Sequence, residues 1–328
     1  MTIEPQRGDR GRREAGATGR GRRPLRWLRC VTVIAALAGA VLAADAPRLR
    51  DDVDLVELDI VAFDRDNRPV TDLRQDEFRI KEDGHVVDVK TFAKVTALGS
   101  LQPDDGRIVV LLMDDIGVPM SGTSPMQQIG PILLSPFEQG DELSVVRLSS
   151  RTDEPFGDLK TVRERIEGYR GGVQPFSRRD TPDTVLKAIA RISRQLEAMD
   201  HRRKVIICLG LPSVCDVSEP ALGGASALWQ PWVAAITAMA RANVALYCVD
   251  PTGTRGGLNL SDGGLVDLAG GRIFAHENTF GPAAEAIWRE AGHYYLLGCW
   301  PAASRRELHS IDVSVARKGV KVRSRQRR

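Results

Sequence analysis

The stretch RIVVLLMDD at residues 107–115 constrains this chain more than any other. Six apolar residues, Ile108 to Met113, run without interruption and stop at two aspartates. A strand that is apolar at both odd and even positions must bury both faces, so the run predicts a central strand of a parallel sheet covered by helices on either side. In such sheets the crevice beyond the carboxyl ends of the strands is where ligands bind. Asp114 and Asp115 stand there, as the first candidates for chemistry or recognition.

The rhythm that follows supports this reading. Apolar strand patterns recur at 107–114, 142–150, 204–211, 244–250 and 293–301, separated by helical patterns. In residues 183–199, Val185, Ile189, Ile192, Leu196 and Met199 form a stripe at helical spacing. Residues 229–243 group Trp229, Trp232, Val233, Ile236 and Met239, with Asn243 placed as the C-terminal cap. A further helix spans 280–291, closed by Gly292. The Ser124-Pro125 pair predicts a helix start, and Pro131 a break or kink soon after. Strands alternating with helices imply a doubly wound, mainly parallel α/β sheet. The tryptophans read as packing residues within it.

Both flanks are β-like. Residues 53–95 alternate, most clearly where Phe78 and Ile80 precede a hairpin turn at Asp83-Gly84 and Val87, Val89 and Phe92 follow. Near the C-terminus Ile311, Val313 and Val315, a turn at Lys318-Gly319, then Val320 and Val322 predict a second hairpin ending in a frayed basic tail. The two flanks are expected to share one small β unit. The domain plan is a leader or anchor at 1–46, an N-terminal β segment at 47–98, an α/β domain at 107–302, and a hairpin with basic tail at 303–328.

The leader is read from charge. Residues 1–30 carry nine arginines against three acids, followed by thirteen uncharged residues, VTVIAALAGAVLA, and then small residues. That order describes a secretory signal, and thirteen residues are short for a bilayer span of about 20. The expected cut falls after Ala43 or Ala44, the alternative being a retained anchor. Of the whole chain's +3, the first 30 residues supply +6 and residues 305–328 supply +7, so the body between carries −10. That balance gives no support to a nucleic-acid-binding body. An exported chain makes disulfides possible among Cys208, Cys215, Cys248 and Cys299. Spacing does not choose among their three pairings, and the simplest reading leaves the strand cysteines as buried, unpaired apolar residues.

An Asp-terminated first strand followed by alternating helices resembles the von Willebrand factor A fold. The segment DIVAFDRDNRPVTDLRQDEFRIKEDGHVVDVKTF is similar to the leader segment of exported bacterial proteins related to that family, and HYYLLGCWP resembles their penultimate strand. The likeness spans roughly residues 53–325. It implies adhesion or scaffolding. Members that bind a cation carry Asp-x-Ser-x-Ser at the end of the first strand, completed by a later Thr and Asp. Here Asp114 matches, but Ile116 and Val118 replace the serines, and Leu209-Gly210-Leu211 replaces the later Asp. Thr181 or Thr184 could supply the threonine. A hard divalent ion wants about six oxygens, so no tightly bound metal is expected. Asp114 is instead expected to be held by backbone N–H groups, with exposure to a partner in the crevice as the alternative.

The sequence has no G-x-S-x-G elbow, H-E-x-x-H pair, P-loop or G-x-G-x-x-G after the first strand. Its five histidines are scattered. The Gly-rich stretch 251–264, with Asn259, Ser261 and Asp262, is a polar loop on the same rim. The resulting expectation is an exported, periplasmic or secreted, non-catalytic interaction module without cofactor or nucleic-acid partner. It would contact the membrane only if the leader is retained. It would bind an envelope or extracellular protein through a rim that includes Asp114, Asp115, Thr181, Asn259 and Asp262. The alternative is an envelope hydrolase using Asp114, Asp115 and Asp250.

Overall fold

The N-terminal segment forms β1 (Val56–Phe63), β2 (Phe78–Glu82), β3 (His85–Val87) and β4 (Val89–Thr96). Asp83 and Gly84 both take left-handed conformations, with φ of 50° and 82°, which closes the predicted hairpin between β2 and β3. The chain continues through β5 (Ile108–Met113), α1 (Thr123–Leu133), β6 (Glu142–Arg147), α2 (Leu159–Glu167) and α3 (Thr181–Glu197). Then come β7 (Lys204–Leu209), α4 (Pro212–Cys215), α5 (Trp229–Ala242), β8 (Val244–Val249) and α6 (Leu265–Leu268). It ends with β9 (Ile273–Phe274), α7 (Gly281–Gly292), β10 (His293–Cys299), β11 (Ile311–Val315) and β12 (Lys321–Arg323). This computed structural model describes residues 55–96, 106–152, 154–173, 181–199, 203–219, 226–252, 264–275, 279–301 and 308–328. The leader at 1–46 lies outside them.

Five strands form a parallel sheet in the order β6-β5-β7-β8-β9. The three strands predicted to be central, β5, β7 and β8, are adjacent and buried along their length. Residues of β5 alternate between two cores. Ile108, Val110 and Leu112 pack with α3 and α5, while Val109, Leu111 and Met113 pack with α1, α2 and α7. The fold class is therefore the doubly covered α/β sheet that the sequence predicts.

Two antiparallel sheets complete the described strands, β12-β1-β10-β4 and β11-β2-β3. They share a third core built on Leu58, Ile60, Phe78, Ile80, Tyr295 and Leu297. Both chain ends contribute, since β11 pairs with β2 and β12 with β1. The flanks thus share one β unit.

Several expectations are corrected. Residues 293–301 are not a strand of the parallel sheet. Instead β10 lies between β1 and β4, and the fifth parallel strand is the two-residue β9. β10 is apolar on both sides because Tyr295 and Leu297 enter the β core while Tyr294 stacks against Arg203, its guanidinium 5.1 Å from the ring centre. The C-terminal strands are not a hairpin, because the turn at Gly319 (φ 81°) carries the chain from one small sheet to the other. Nor is the tail frayed. The Arg325 side chain is buried and bonded to the Ala240 and Glu57 carbonyls, and Arg328 pairs with Glu82. Helix α1 is capped by Gly122, not Ser124, and runs two residues past Pro131. Proline in the last turn removes one backbone bond without ending the helix.

One buried ion pair joins the two halves. Arg203, immediately before β7, bonds Asp59 of β1, and both side chains are 5% exposed. Burial alone would lower the Arg203 pKa, but the adjacent carboxylate more than reverses this and raises it. Removing one member of such a pair strands a buried charge, so Asp59→Ala should cost about 3–5 kcal/mol in urea unfolding. The apolar double variant Asp59→Leu/Arg203→Met should recover most of that loss.

Candidate functional site: the carboxyl rim of the parallel sheet

The rim is built where β5, β7 and β8 end. At the end of β5 the chain turns tightly, and Asp114 folds back over its own loop. Its Oδ1 accepts hydrogen bonds from the backbone N–H of Ile116 (3.1 Å) and Gly117 (2.6 Å), while its backbone carbonyl accepts one from the Tyr169 hydroxyl (2.6 Å). Asp114 is fully buried, and its Oδ2 has no hydrogen-bond partner. Burial therefore dominates and pushes its pKa up from 3.8 to about 6, against the lowering effect of the backbone donors.

Close approach of the neighbouring backbone explains two glycines here. A Cβ on Gly210, the residue after β7, would lie 2.4 Å from the Asp114 Cβ. One on Gly117 would lie 2.5 Å from Asp114 Oδ2 and 2.7 Å from Val214. The carboxylate thus fills the space that side chains at 117 and 210 would take. Cys208 of β7 is bonded to Cys215 of α4, which places the Cys215 sulfur 3.0 Å from that same Gly210 Cβ position. This pairing is one the sequence left open, and it corrects the reading of Cys208 as unpaired. Cys248 and Cys299 are free and buried.

Asp115 is nearly as buried and points to the other side. Its Oδ1 accepts the Ser149 N–H at 2.9 Å and its Oδ2 the Ser149 hydroxyl at 2.5 Å, which ties the end of β5 to the segment after β6. At the end of β8, Asp250 Oδ1 accepts the Thr252 N–H (2.8 Å) and hydroxyl (2.6 Å), and its Oδ2 is buried without a partner. Asp216, after α4, accepts the Val266 N–H at 2.9 Å, and burial raises its pKa. Burial likewise raises the Cys248 thiol well above its usual value, reinforced by the nearby charges of Asp216, Asp250 and Asp114. Asp114 and Asp250, from the ends of β5 and β8, and Asp216, from after α4, thus set their charges near a buried thiol.

Thr181 is buried at the start of α3. Asn259 and Asp262 lie outside the described residues. Ser149, Tyr169 and Asp216, which the sequence reading did not single out, brace the rim. Ser149 follows a strand as Asp114 does, a positional signal that was available. Tyr169 reaches Asp114 from after α2, and nothing in the sequence announces that contact.

Among the described residues the donor set falls short of the roughly six oxygens a hard divalent cation takes. Asp114 Oδ1 is already engaged, and Ile116 and Val118, where the resemblance calls for hydroxyls, are buried in the two opposite cores of the sheet. No group of three His, Cys, Asp or Glu side chains among the described residues is disposed to hold a metal. Among the described residues, two apolar side chains stand exposed at the rim. Met120 is 70% exposed and Val173 47% exposed, on loops joined by Gly172 N–H to Val118 O (2.8 Å) and Val173 N–H to Asp115 O (3.1 Å).

An acid with a raised native pKa is protonated in the folded state while the unfolded chain has already ionised. Its effect is absent below about pH 4, and stability falls as pH rises from there to about 6, by about 3 kcal/mol for the shift at Asp114. Asp114→Asn keeps an oxygen for the Ile116 and Gly117 donors but cannot ionise. Its urea-unfolding stability should therefore lose about 3 kcal/mol less than wild type between pH 4 and pH 7. Parallel pH profiles for the two proteins would contradict the burial of an ionisable Asp114.

No protein-family profile matches the sequence, and no curated protein is significantly similar to it. Among solved structures, the chain is similar to manganese-loaded Plasmodium vivax TRAP protein, at 10% identity and a TM-score of 0.36. That alignment covers 71% of this chain and 96% of the other.

Proposed function

We propose that this chain is an exported, non-catalytic interaction module of the adhesion or scaffolding type, which engages a partner protein at the carboxyl rim of its parallel sheet without a tightly bound cation. The observation that carries this reading is the division of labour at the rim. The carboxylates face inward and fix the loops, while Met120 and Val173 stand exposed on those braced loops. Exposed apolar side chains on a rigid scaffold suit protein binding. Export rests on the Arg-rich leader and its apolar run of thirteen residues. No helix among the described residues is long and apolar enough to cross a membrane.

The hydrolase alternative is less well supported. Asp114 and Asp250 are both fully buried, so neither carboxylate is placed to meet a substrate, and Asp115 is held on both oxygens by Ser149. A general acid or base needs hydrogen-bond reach to the reacting proton.

Two measurements test the reading. The double variant Met120→Glu/Val173→Glu should lose at least about tenfold in retention of partners from envelope extracts, relative to wild type and to Val86→Glu on the β unit. Its melting temperature should match wild type, since surface changes shift stability by about 0.5 kcal/mol or less. Undiminished retention would remove the rim as the binding face. Magnesium, manganese or calcium at millimolar concentration should leave the melting temperature unchanged, because stabilisation follows ligand concentration over Kd. A micromolar Kd abolished by Asp114→Ala would instead make the module cation-dependent.

A further inference from the structure

Three cysteines meet on one face of the parallel sheet. Cys208 of β7 and Cys248 of β8 are register partners on adjacent strands, and both side chains enter the core covered by α3 and α5. Adjacent strands lie about 4.8 Å apart, inside the span of about 4.4–6.8 Å that a disulfide bridges between Cα atoms. Cys215, at the end of α4, joins the same core and is bonded to Cys208 across a Cα separation of 6.0 Å. Helix α4 also packs against β8. Cys248 is free, and like Cys215 it is fully buried.

Gly210 brings the sulfurs of Cys215 and Cys248 to one place. Cys215 Sγ lies 3.0 Å from where a Gly210 Cβ would stand, and Cys248 Sγ lies 3.9 Å from the Gly210 carbonyl oxygen. A free thiol thus neighbours a closed disulfide in a core that external thiols do not reach. The charged groups acting on Cys248 are Asp216 after α4, Asp250 after β8 and Asp114 after β5. Together with burial they hold it as the thiol near neutrality. Asp250, two residues beyond Cys248, has a buried Oδ2 without a partner, which can relay a proton.

We propose that Cys248 is a second seat for Cys215, so that one disulfide moves between two strands. The Cys248 sulfur attacks Cys215 Sγ, the Cys215–Cys248 bond forms and the Cys208–Cys215 bond breaks. The proton lost by Cys248 ends on the departing Cys208 sulfur. One disulfide and one thiol stand on each side of the step, so no oxidant or reductant is consumed. The move draws the end of α4 from β7 toward β8. Asp216, the next residue, accepts the Val266 N–H at 2.9 Å, so the pairing is coupled to the segment that leads into α6. This device does not depend on what the rim binds.

The test is a disulfide map of the full chain, held at about pH 9 without added thiol, then quenched with maleimide in mild acid and digested with pepsin. Two joined peptide pairs are expected, Cys208–Cys215 and Cys215–Cys248, with the number of free thiols unchanged. The second pair should appear about tenfold faster for each pH unit, following the thiolate fraction below the thiol's pKa. Cys248→Ala should leave the first pair alone, and Cys299→Ala should leave both. A map that holds only Cys208–Cys215 would overturn the proposal. So would a second pair that persists in Cys248→Ala, or one that joins isotope-labelled to unlabelled chains after mixing.

Discussion

Everything in this structure follows from the need to cover both faces of Ile108–Met113. A strand whose alternate side chains enter two separate cores can sit only inside a sheet with helices above and below. Crossover helices of one hand then deliver β5, β7 and β8 in parallel, so their carboxyl ends, with Asp114, Gly210 and Asp250, come together along one edge. The rim is a consequence of the core. Its polar residues sit where they do because the apolar residues before them have no other place to go.

At that edge the chain turns its charges inward. Asp114 spends one oxygen on two backbone donors and leaves the other buried, an arrangement that disfavours ionisation. Gly117 and Gly210 permit the approach, the Cys208–Cys215 bond fixes α4 beneath it, and the Tyr169 hydroxyl anchors the Asp114 carbonyl. Ile116 and Val118 alternate around the turn into opposite cores. These choices rigidify the loop, and the two apolar side chains stand where the resemblance calls for hydroxyls. The same residues make a firm platform for exposed neighbours such as Met120.

The architecture was legible because periodicity reports burial. The stripe from Val185 to Leu196, the cap at Asn243 and the Asp83-Gly84 turn each state a local rule that the fold obeys. Misreadings arose where burial is blind to its cause. Residues 293–299 are apolar on both sides whether the cover is two helix layers or, as found, a β core on one side and Arg203 on the other. The tail failed for a related reason, since charge suggests solvent while Arg325 is satisfied by two backbone carbonyls inside the protein. At the site, the missing hydroxyls at 116 and 118 were visible in the sequence. The bond between Cys208 and Cys215, and the contact from Tyr169, depend on distances that spacing does not encode.

The seam between the two halves carries the remaining charge chemistry, and it bears on how the rim is used. Arg203 with Asp59, Arg323 with Glu290, and Arg325 on the Ala240 carbonyl all cross from the β unit to the α/β body. The first of these is buried, and a desolvated guanidinium tolerates little change in the position of its partner. Such contacts make relative movement of the halves costly, unlike the wet, loosely packed interfaces that permit domain rotation. A partner held at Met120 and Val173 is thereby held in fixed register to the β unit.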